Sequence, residues 1–404
     1  MLELDLFDVP GSAHRIGMAL MRRAIYRGSE DEGRELLARA PVVHLAMVGE
    51  GGAPILRTVN AVVVGGALAF HGAPVGEKME GVGRAVVAGA DETVVTIPSY
   101  FIDPRRACPA TTYYVSVQVD GVIEQIDDIV QKARVLAALM KKYQPEGGYA
   151  ELTADDPLYT KAIAGLLVAR IPLDRVTCKA KLGQNRKPEE RMRVLEHLWR
   201  RGAPGDVDAI AMILARYPEL GTPGFLLPRP ELAGAGISLV CALAEGELEG
   251  AVDLLKSTYW LEDLARSQIE AAVTSSTAIV AARDRSGHVV AFARAVSDGK
   301  CAWIYDVVVT PELRNGFVGS AVMEVLLDHP AVRNARHVRL TTRDAMPFYR
   351  RLGFVELAEA PRYAWTSTEM IRTKPRDQDP PTSASPKEGS AASTTFRSSS
   401  RSAP

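Results

Sequence analysis

The sequence predicts two structured domains and a coreless tail: an antiparallel β-barrel or sandwich, then an α+β domain. Three observations carry that reading. Through the first half, short β-branched runs (VVHLAMV, ILRTVNAVVV, ALAFHGA, AVVAGA, TVVTIP) alternate with glycine breaks, the pattern of tight-turned antiparallel strands. The second half reads helices, three antiparallel strands, then strand–helix–strand–helix–strand, an α+β order with one crossover. From Thr373 onward Ser, Thr, Pro and charge dominate. A segment with so little to bury cannot offset its ordering entropy and is expected to be disordered.

Bulk properties narrow the function classes. The 404 residues exceed one ordinary core, since domains run to roughly 100–200 residues. The chain is 47% hydrophobic and 24% charged with formal net charge −1. No global basic field recruits nucleic acid, and no recognition-helix pattern is present. No apolar run approaches the ~18 residues that span a bilayer. The N-terminus, MLELDLFDVP, lacks the basic-then-apolar pattern of a secretory signal. Cys108, Cys178, Cys241 and Cys301 are far apart in sequence, so neither metal nor redox spacing is available; buried thiols in a reduced, cytoplasmic compartment are expected.

In the first half, each of the runs above is read as a strand, and Tyr113–Val119 is a further one. His44 falls within an apolar strand and reads as structural. Asp127–Lys142 places apolar residues at helical spacing. Leu166–Lys181 reads as a strand pair around Pro172-Leu173-Asp174. Lys187–Tyr217 is helical, opening on Pro188 and two acids as helix N-termini do. Gly221–Pro230 is dense in Gly and Pro and marks an interdomain linker. In the second half, Ala251–Leu264 and Leu264–Val273 read as helices. Thr277–Ala282, Val289–Val296 and Ala302–Thr310 read as strands, Gly319–Leu327 as a helix, His337–Thr341 as a strand and Ala345–Arg351 as a short helix. Phe354–Leu357 opens a last strand.

The stretch VVVTPELRNGFVGSAVM (Val307–Met323) is strand, glycine-containing turn, helix. Helix N-terminal amides lack intrahelical partners and favour an anion, and an arginine adds charge-assisted bonds. Arg314, Gly316 and Gly319 supply those parts. Together with RDAMPFYRRLGF (Arg343–Phe354), the stretch resembles the GNAT family of N-acetyltransferases. The resemblance covers Ala251 to Trp365. It implies that Arg314, Asn315, Gly316, Val318, Gly319 and Ser320 hold the pyrophosphate of acetyl-CoA. It implies that Val307, Val308 and Val309 hold the pantetheine arm and polarise the thioester carbonyl. Tyr349 would be the general acid toward the leaving thiolate, the competing reading being a core aromatic. Asp306 is either the base for the attacking amine or a strand-end carboxylate paired with an arginine. Phe317 stands where the family carries glycine: pointing outward it leaves room for the coenzyme, pointing inward it blocks it.

In the first half, ALAFHGAPVGEKMEGV (Ala67–Val82) delivers Phe70-His71-Gly72-Ala73 from a strand into a loop with Gly76 and Lys78. Lysine and glycine amides there suit a phosphate monoester; the alternative is a solvated lysine on a surface loop. With Tyr114-Val115-Ser116-Val117 and RIPLDRVTCKAKLGQNR, this half resembles the pyridoxamine 5′-phosphate oxidase-like split barrels, notably the branch of nitroimidazole-resistance proteins. The resemblance spans Arg15 to Arg186. It implies a homodimer holding FMN near its interface, with Lys78 on the phosphate. His71, Gly72 and Ala73 would line the site, and Arg57, Thr58 and Asn60 would approach the flavin. Many relatives carry arginine where Val115 stands, which puts one phosphate partner in question.

The expected organisation is a split barrel (1–186), a helical connector and Gly/Pro linker (187–235), an acetyltransferase domain with a mixed sheet (236–372) and the tail (373–404). The expected function is acetyl transfer from acetyl-CoA to a small-molecule amine, with a flavin-dependent reaction as a second activity. The alternative is a non-catalytic sensor of flavin and acyl-CoA. Trp260, Arg294 and Trp303 are candidates to face the acceptor. No metal, nucleic-acid or membrane partner is expected.

Overall fold

A computed structural model describes residues 23–244 and 246–359. One compact unit ends at Asp344 and a second begins at Ala345; each is treated separately. The expected tail, the segment 362–370 that the sequence places, with Ala251–Val273, around the acceptor, and the start of the barrel resemblance lie outside the described residues.

The first unit opens on α1 (Glu30–Arg39), started by a reciprocal capping box between Ser29 and Glu32. Then come β1 (Val43–Val48), β2 (Pro54–Val59), β3 (Ala61–Val64), β4 (Ala67–Gly72), β5 (Ala85–Ile97), β6 (Thr111–Val122) and β7 (Glu124–Gln125). Helices α2 (Ile129–Tyr143) and α3 (Pro157–Ala164) precede β8 (Leu167–Pro172) and β9 (Val176–Lys181). These strands form two sheets, β2-β1-β5-β6-β9 and β3-β4-β8-β7, every pair antiparallel. Period-2 alternation decides the faces. Val43, Leu45 and Met47 are buried, whereas His44, Ala46 and Val48 face outward. His44 is therefore an exposed residue, hydrogen-bonded at 3.1 Å to Thr58, and not part of the core. Helix α2 closes a core of Ala69, Ala133, Leu136, Leu139, Ile163 and Val168.

Three sequence expectations change here. AVVAGA and TVVTIP are one strand, β5, because Asp91 and Glu92 pair across to Ser116 and Val115 instead of turning. ILRTVNAVVV is two strands, broken at Asn60 so that β2 and β3 enter different sheets. Strands β8 and β9 likewise part into separate sheets at Leu173, so they are not a hairpin.

The connector contains α4 (Pro188–Arg201), α5 (Asp206–Arg216) and α6 (Glu231–Ala235). Helix α4 ends at Gly202 in the left-handed region, φ 61°, the usual glycine stop. Asp206, fully buried, accepts two bonds from Arg201 and one from the Ala203 amide, tying α4 to α5.

The second sheet system comprises β10 (Ser238–Val240), α7 (Glu247–Lys256), α8 (Arg266–Thr274), β11 (Ala278–Arg283), β12 (Val289–Ser297), β13 (Cys301–Val309), α9 (Val318–Asp328) and β14 (His337–Arg339). Its order is β10-β11-β12-β13-β14; only the β13–β14 pair is parallel. The mixed α+β architecture is as the sequence predicts, with β10, only three residues long, added at one edge. On one face, Ala251, Val252 and Leu255 of α7 and Ile269 and Val273 of α8 pack on Ala281, Phe292 and Val308. In the second unit, α10 (Met346–Arg351) matches the expected short helix, while Phe354–Leu357 forms no strand among the described residues. All four cysteines are free. Cys178 is buried as expected and its thiol is pushed up to about 11 by burial, but Cys108 is exposed.

Candidate functional site

The geometry around β13 starts from a register break. Phe292 pairs with Val308, but Arg294 pairs with Tyr305. Two residues, Asp306 and Val307, therefore oppose Ala293 alone, which is a β-bulge. Asp306 takes φ 56°, a left-handed value rare for a residue with a side chain. Its carboxylate accepts from Arg294 Nε at 2.5 Å and from the Trp260 indole N–H at 3.2 Å. The carboxylate is thus paired with an arginine, at a bulge within β13 and not at its end.

On its other edge β13 pairs with β14 only over Cys301–Trp303. Past Trp303 that edge has no strand neighbour among the described residues. Main-chain amides and carbonyls on that edge have no strand partner there among the described residues, and Val307 and Val309 are half-buried. Such groups seek polar partners. The strand ends at Val309, whose carbonyl accepts from Arg314 Nε at 3.0 Å. Asn315 takes φ 59°, so the left-handed turn position is held by asparagine, not by Gly316. Asparagine tolerates that region because its short polar side chain bonds locally. The first bond recorded for α9 runs from Ala321 N to Phe317 O at 2.9 Å. The amides of Val318, Gly319 and Ser320 precede it and lack intrahelical acceptors. Val318 is buried, so it can offer a ligand only its main chain. Phe317, at the N-cap, is half-buried. The structure thus brings Val307–Val309 and the Arg314–Ser320 turn together as one continuous edge. Tyr349 lies on α10 in the second unit, edge-on to Phe348 and Phe354 with ring centres 5.0 and 5.9 Å away.

In the barrel, Arg57, Thr58, Val59, Asn60, His71, Gly76, Glu77 and Lys78 line an open cleft of about 620 Å³. Five of the residues expected at a flavin site therefore meet there. Gly72 sits beneath Lys78: a β-carbon on it would stand 2.6 Å from Lys78 Cε, so only glycine leaves the lysine that path. Ala73 is exposed and outside the lining. Partial burial and the neighbouring Lys78 lower the pKa of His71, which disfavours its charged form. Glu77, which sequence reasoning passed over, pairs with Arg57; its place beside Lys78 in an exposed loop was the available signal. Val115 is buried in β6, a core position in this chain and not a phosphate contact. A separate cavity of about 860 Å³ lies between the α4–α5 turn, the β10–α7 loop and the end of α8. Val207, Leu243 and Val273 are among its lining, and the Cys241 thiol there is pushed up to about 12 by burial, so it offers no thiolate nucleophile.

Residues 29–180 match the pyridoxamine 5′-phosphate oxidase family model and residues 246–354 the acetyltransferase (GNAT) family model. Solved structures resemble either part. A structure from Bacteroides thetaiotaomicron VPI-5482, assigned to 5-nitroimidazole antibiotic resistance, is 19% identical, with 37% of this chain and 83% of that one covered and a TM-score of 0.31. The FAD and heme binding protein from Mycobacterium smegmatis is 22% identical over 39% and 73% of the two chains, TM-score 0.33. A GNAT-family protein from Xanthomonas campestris pv. campestris is 27% identical over 31% and 92%, TM-score 0.27. No curated protein matches the chain.

Proposed function

Because the chain joins a pyridoxamine 5′-phosphate oxidase-family domain to a GNAT acetyltransferase-family domain, we propose that it transfers an acetyl group from acetyl-CoA to an amine. The observation that carries this reading is the edge of β13, unpaired past Trp303 among the described residues, running into the open amides at the start of α9. An extended pantetheine arm can add to that edge as a strand would, and the pyrophosphate can sit on the amides of Val318–Ser320 with Arg314 alongside. The amine nitrogen attacks the thioester carbon directly. The C–N bond forms, the C–S bond breaks, the amine loses a proton and the thiolate gains one. Asp306 is the proposed acceptor of the amine proton, with Arg294 and Trp260 fixing its orientation. Tyr349 is the proposed donor to the thiolate. The N-acetyl product and free coenzyme A are the expected outputs. Thiol release from acetyl-CoA in the presence of amines tests this. Tyr349→Phe is expected to lower kcat about 100-fold with acetyl-CoA affinity kept; release that is independent of any amine, or unaffected by that change, rejects the assignment.

For the barrel we propose a flavin mononucleotide in the Arg57–Lys78 cleft. The residues fit such a group: Lys78 is cationic, Thr58 and Asn60 are hydrogen-bonding, and Gly72 leaves the lysine its path. When bound, a flavin would supply electron transfer; the chain's part is to hold its phosphate and to disfavour the charged form of His71 beside it. We further propose a homodimer through the outer face of the β2-β1-β5 sheet. There Leu56 and Val87 flank Ala46, and Val48 and Val122 are exposed nearby, apolar side chains that a partner sheet could cover.

A further inference from the structure

Resting on the acyltransferase reading, we propose that the acetyl acceptor is an amine that also carries a carboxylate and a flat apolar group: an aromatic amino acid or a close analogue. The observation is a ring of side chains around the β13 bulge, built as two arcs. In the first, the Arg343 guanidinium lies 3.7 Å from the centre of the Tyr259 ring. Tyr259 meets Trp260 edge-on at 4.9 Å, and the Trp260 N–H donates to Asp306. In the second, Arg294 binds Asp306 and lies 4.8 Å over Tyr305. Tyr305 stacks with Trp303 at 6.3 Å, and Arg339 lies 5.8 Å over Trp303. Only Leu340, Thr341 and Thr342 separate Arg339 from Arg343, so the chain itself closes the ring.

Three properties select the acceptor. Tyr259, Trp260 and Tyr305 remain 45%, 42% and 41% exposed, a run of aromatic faces suited to stacking a flat group. The charge does not balance. Asp306 is matched by Arg294; Arg339 makes no ion pair among the described residues, and the one recorded for Arg343 is a 3.6 Å contact with exposed Asp344. A planar guanidinium held against a ring keeps its donor fork free for a carboxylate. The same positive surplus disfavours an ammonium beside it, so the acceptor's amine is favoured in the neutral form that attacks. A polyamine or a lysine side chain brings a second cation and no anion, and meets repulsion instead.

The test uses the intact chain with acetyl-CoA and measures thiol release. The panel is phenylalanine, tryptophan and tyrosine, their carboxylate-free counterparts such as phenethylamine and phenylalaninamide, and spermidine. The acids are expected to exceed their counterparts by about 30-fold or more in kcat/KM, as a charge-assisted pair of bonds allows. Arg339→Gln and Arg343→Gln together should raise KM for the acids and shrink that ratio toward one, with calorimetric acetyl-CoA affinity unchanged. Equal or better turnover of carboxylate-free amines or spermidine overturns the proposal. So does a ratio that survives both substitutions, or failure of every acid to be acetylated while its N-acetyl product also fails to bind. Calorimetry with acetyl-CoA alone separates the two levels: no coenzyme binding rejects the acyltransferase reading and this inference with it, whereas binding without acid preference rejects the acceptor class only.

Discussion

At the scale of single residues, Asp306 holds the site together. Its carboxylate is only 7% exposed and Arg294 only 13%, so neither charge is left to water. Breaking a nearly buried pair from one side strands the other charge, and Arg294→Leu is expected to cost about 3 kcal/mol or more in denaturant unfolding. Asp306→Asn keeps the shape and an acceptor for Trp260. It should cost less stability but most of the turnover, which separates the proton-accepting role from the structural one. His329 carries a prediction of the opposite kind. It is buried against Trp199, its Nδ1 accepts from the Ala331 amide, and burial pushes its pKa down to about 4. The folded state therefore binds this proton less readily than the unfolded chain. Its stabilising contribution is full above pH 6.5 and drains away as pH falls toward 4. Between pH 7 and pH 5 the loss should be about 2 kcal/mol, and chemical denaturation of wild type against His329→Leu reads it: the variant should lose this part of the pH slope.

At the scale of elements, the turn into α9 is the informative case. The motif was legible because arginine, glycine and a following helix stand in order, but the residue that carries the left-handed conformation is Asn315, which composition does not single out. Asn315→Gly should leave stability unchanged or raise it slightly, whereas Asn315→Val should cost about 1–2 kcal/mol and weaken acetyl-CoA binding; melting temperatures and calorimetry of the two variants check this. The same limit explains the other differences. Period-2 alternation and turn residues identify strands, so most strands of both sheet systems could be located from sequence, but not the short β7 and β10, nor helices α1 and α3. These signals do not say which strand pairs with which. The Asp91-Glu92 step between the two runs continues inside β5, where the partner strand β6 and the Arg39–Glu92 ion pair accommodate the acids. Leu173 looked like a hairpin tip because local sequence cannot register that β8 and β9 belong to different sheets. In the cleft, His71 and Lys78 were readable from one segment. Their meeting with Arg57 and Asn60 depends on β2, β3 and β4 being brought together. The aromatic and arginine ring was legible only in part: Trp260, Arg294, Trp303 and Asp306 could be named from sequence, but their meeting with Tyr259, Tyr305, Arg339 and Arg343 depends on the α7–α8 loop, β12, β13 and the chain from β14 onward being brought together.

At the scale of the whole molecule, the connector is more than a tether. Arg201 Nη1 donates to the Thr96 carbonyl at the end of β5, while Trp199 Nε1 donates to Asp328 at 2.7 Å and Arg333 reaches the carbonyls of Trp199 and Arg200. Helix α4 is thus bonded to the barrel on one side and to the acetyltransferase domain on the other. Gly202 is the tight point, with φ 61° and an added β-carbon only 2.4 Å from the Pro330 ring. Gly202→Ala should lower stability by about 2 kcal/mol or more, and calorimetric unfolding should show both domains affected together. The chain is near-neutral, its cysteines are free, and no helix among the described residues is long and apolar enough to cross a membrane. The proposed acyl-coenzyme A site joins the edge of β13, unpaired past Trp303 among the described residues, to the first turn of α9, with room beside Phe317. Calorimetric titration of the intact chain with acetyl-CoA tests it most directly. Saturable binding at one site per chain, weakened by Arg314→Glu, is the predicted result; no heat and no thermal stabilisation at millimolar acetyl-CoA would contradict it.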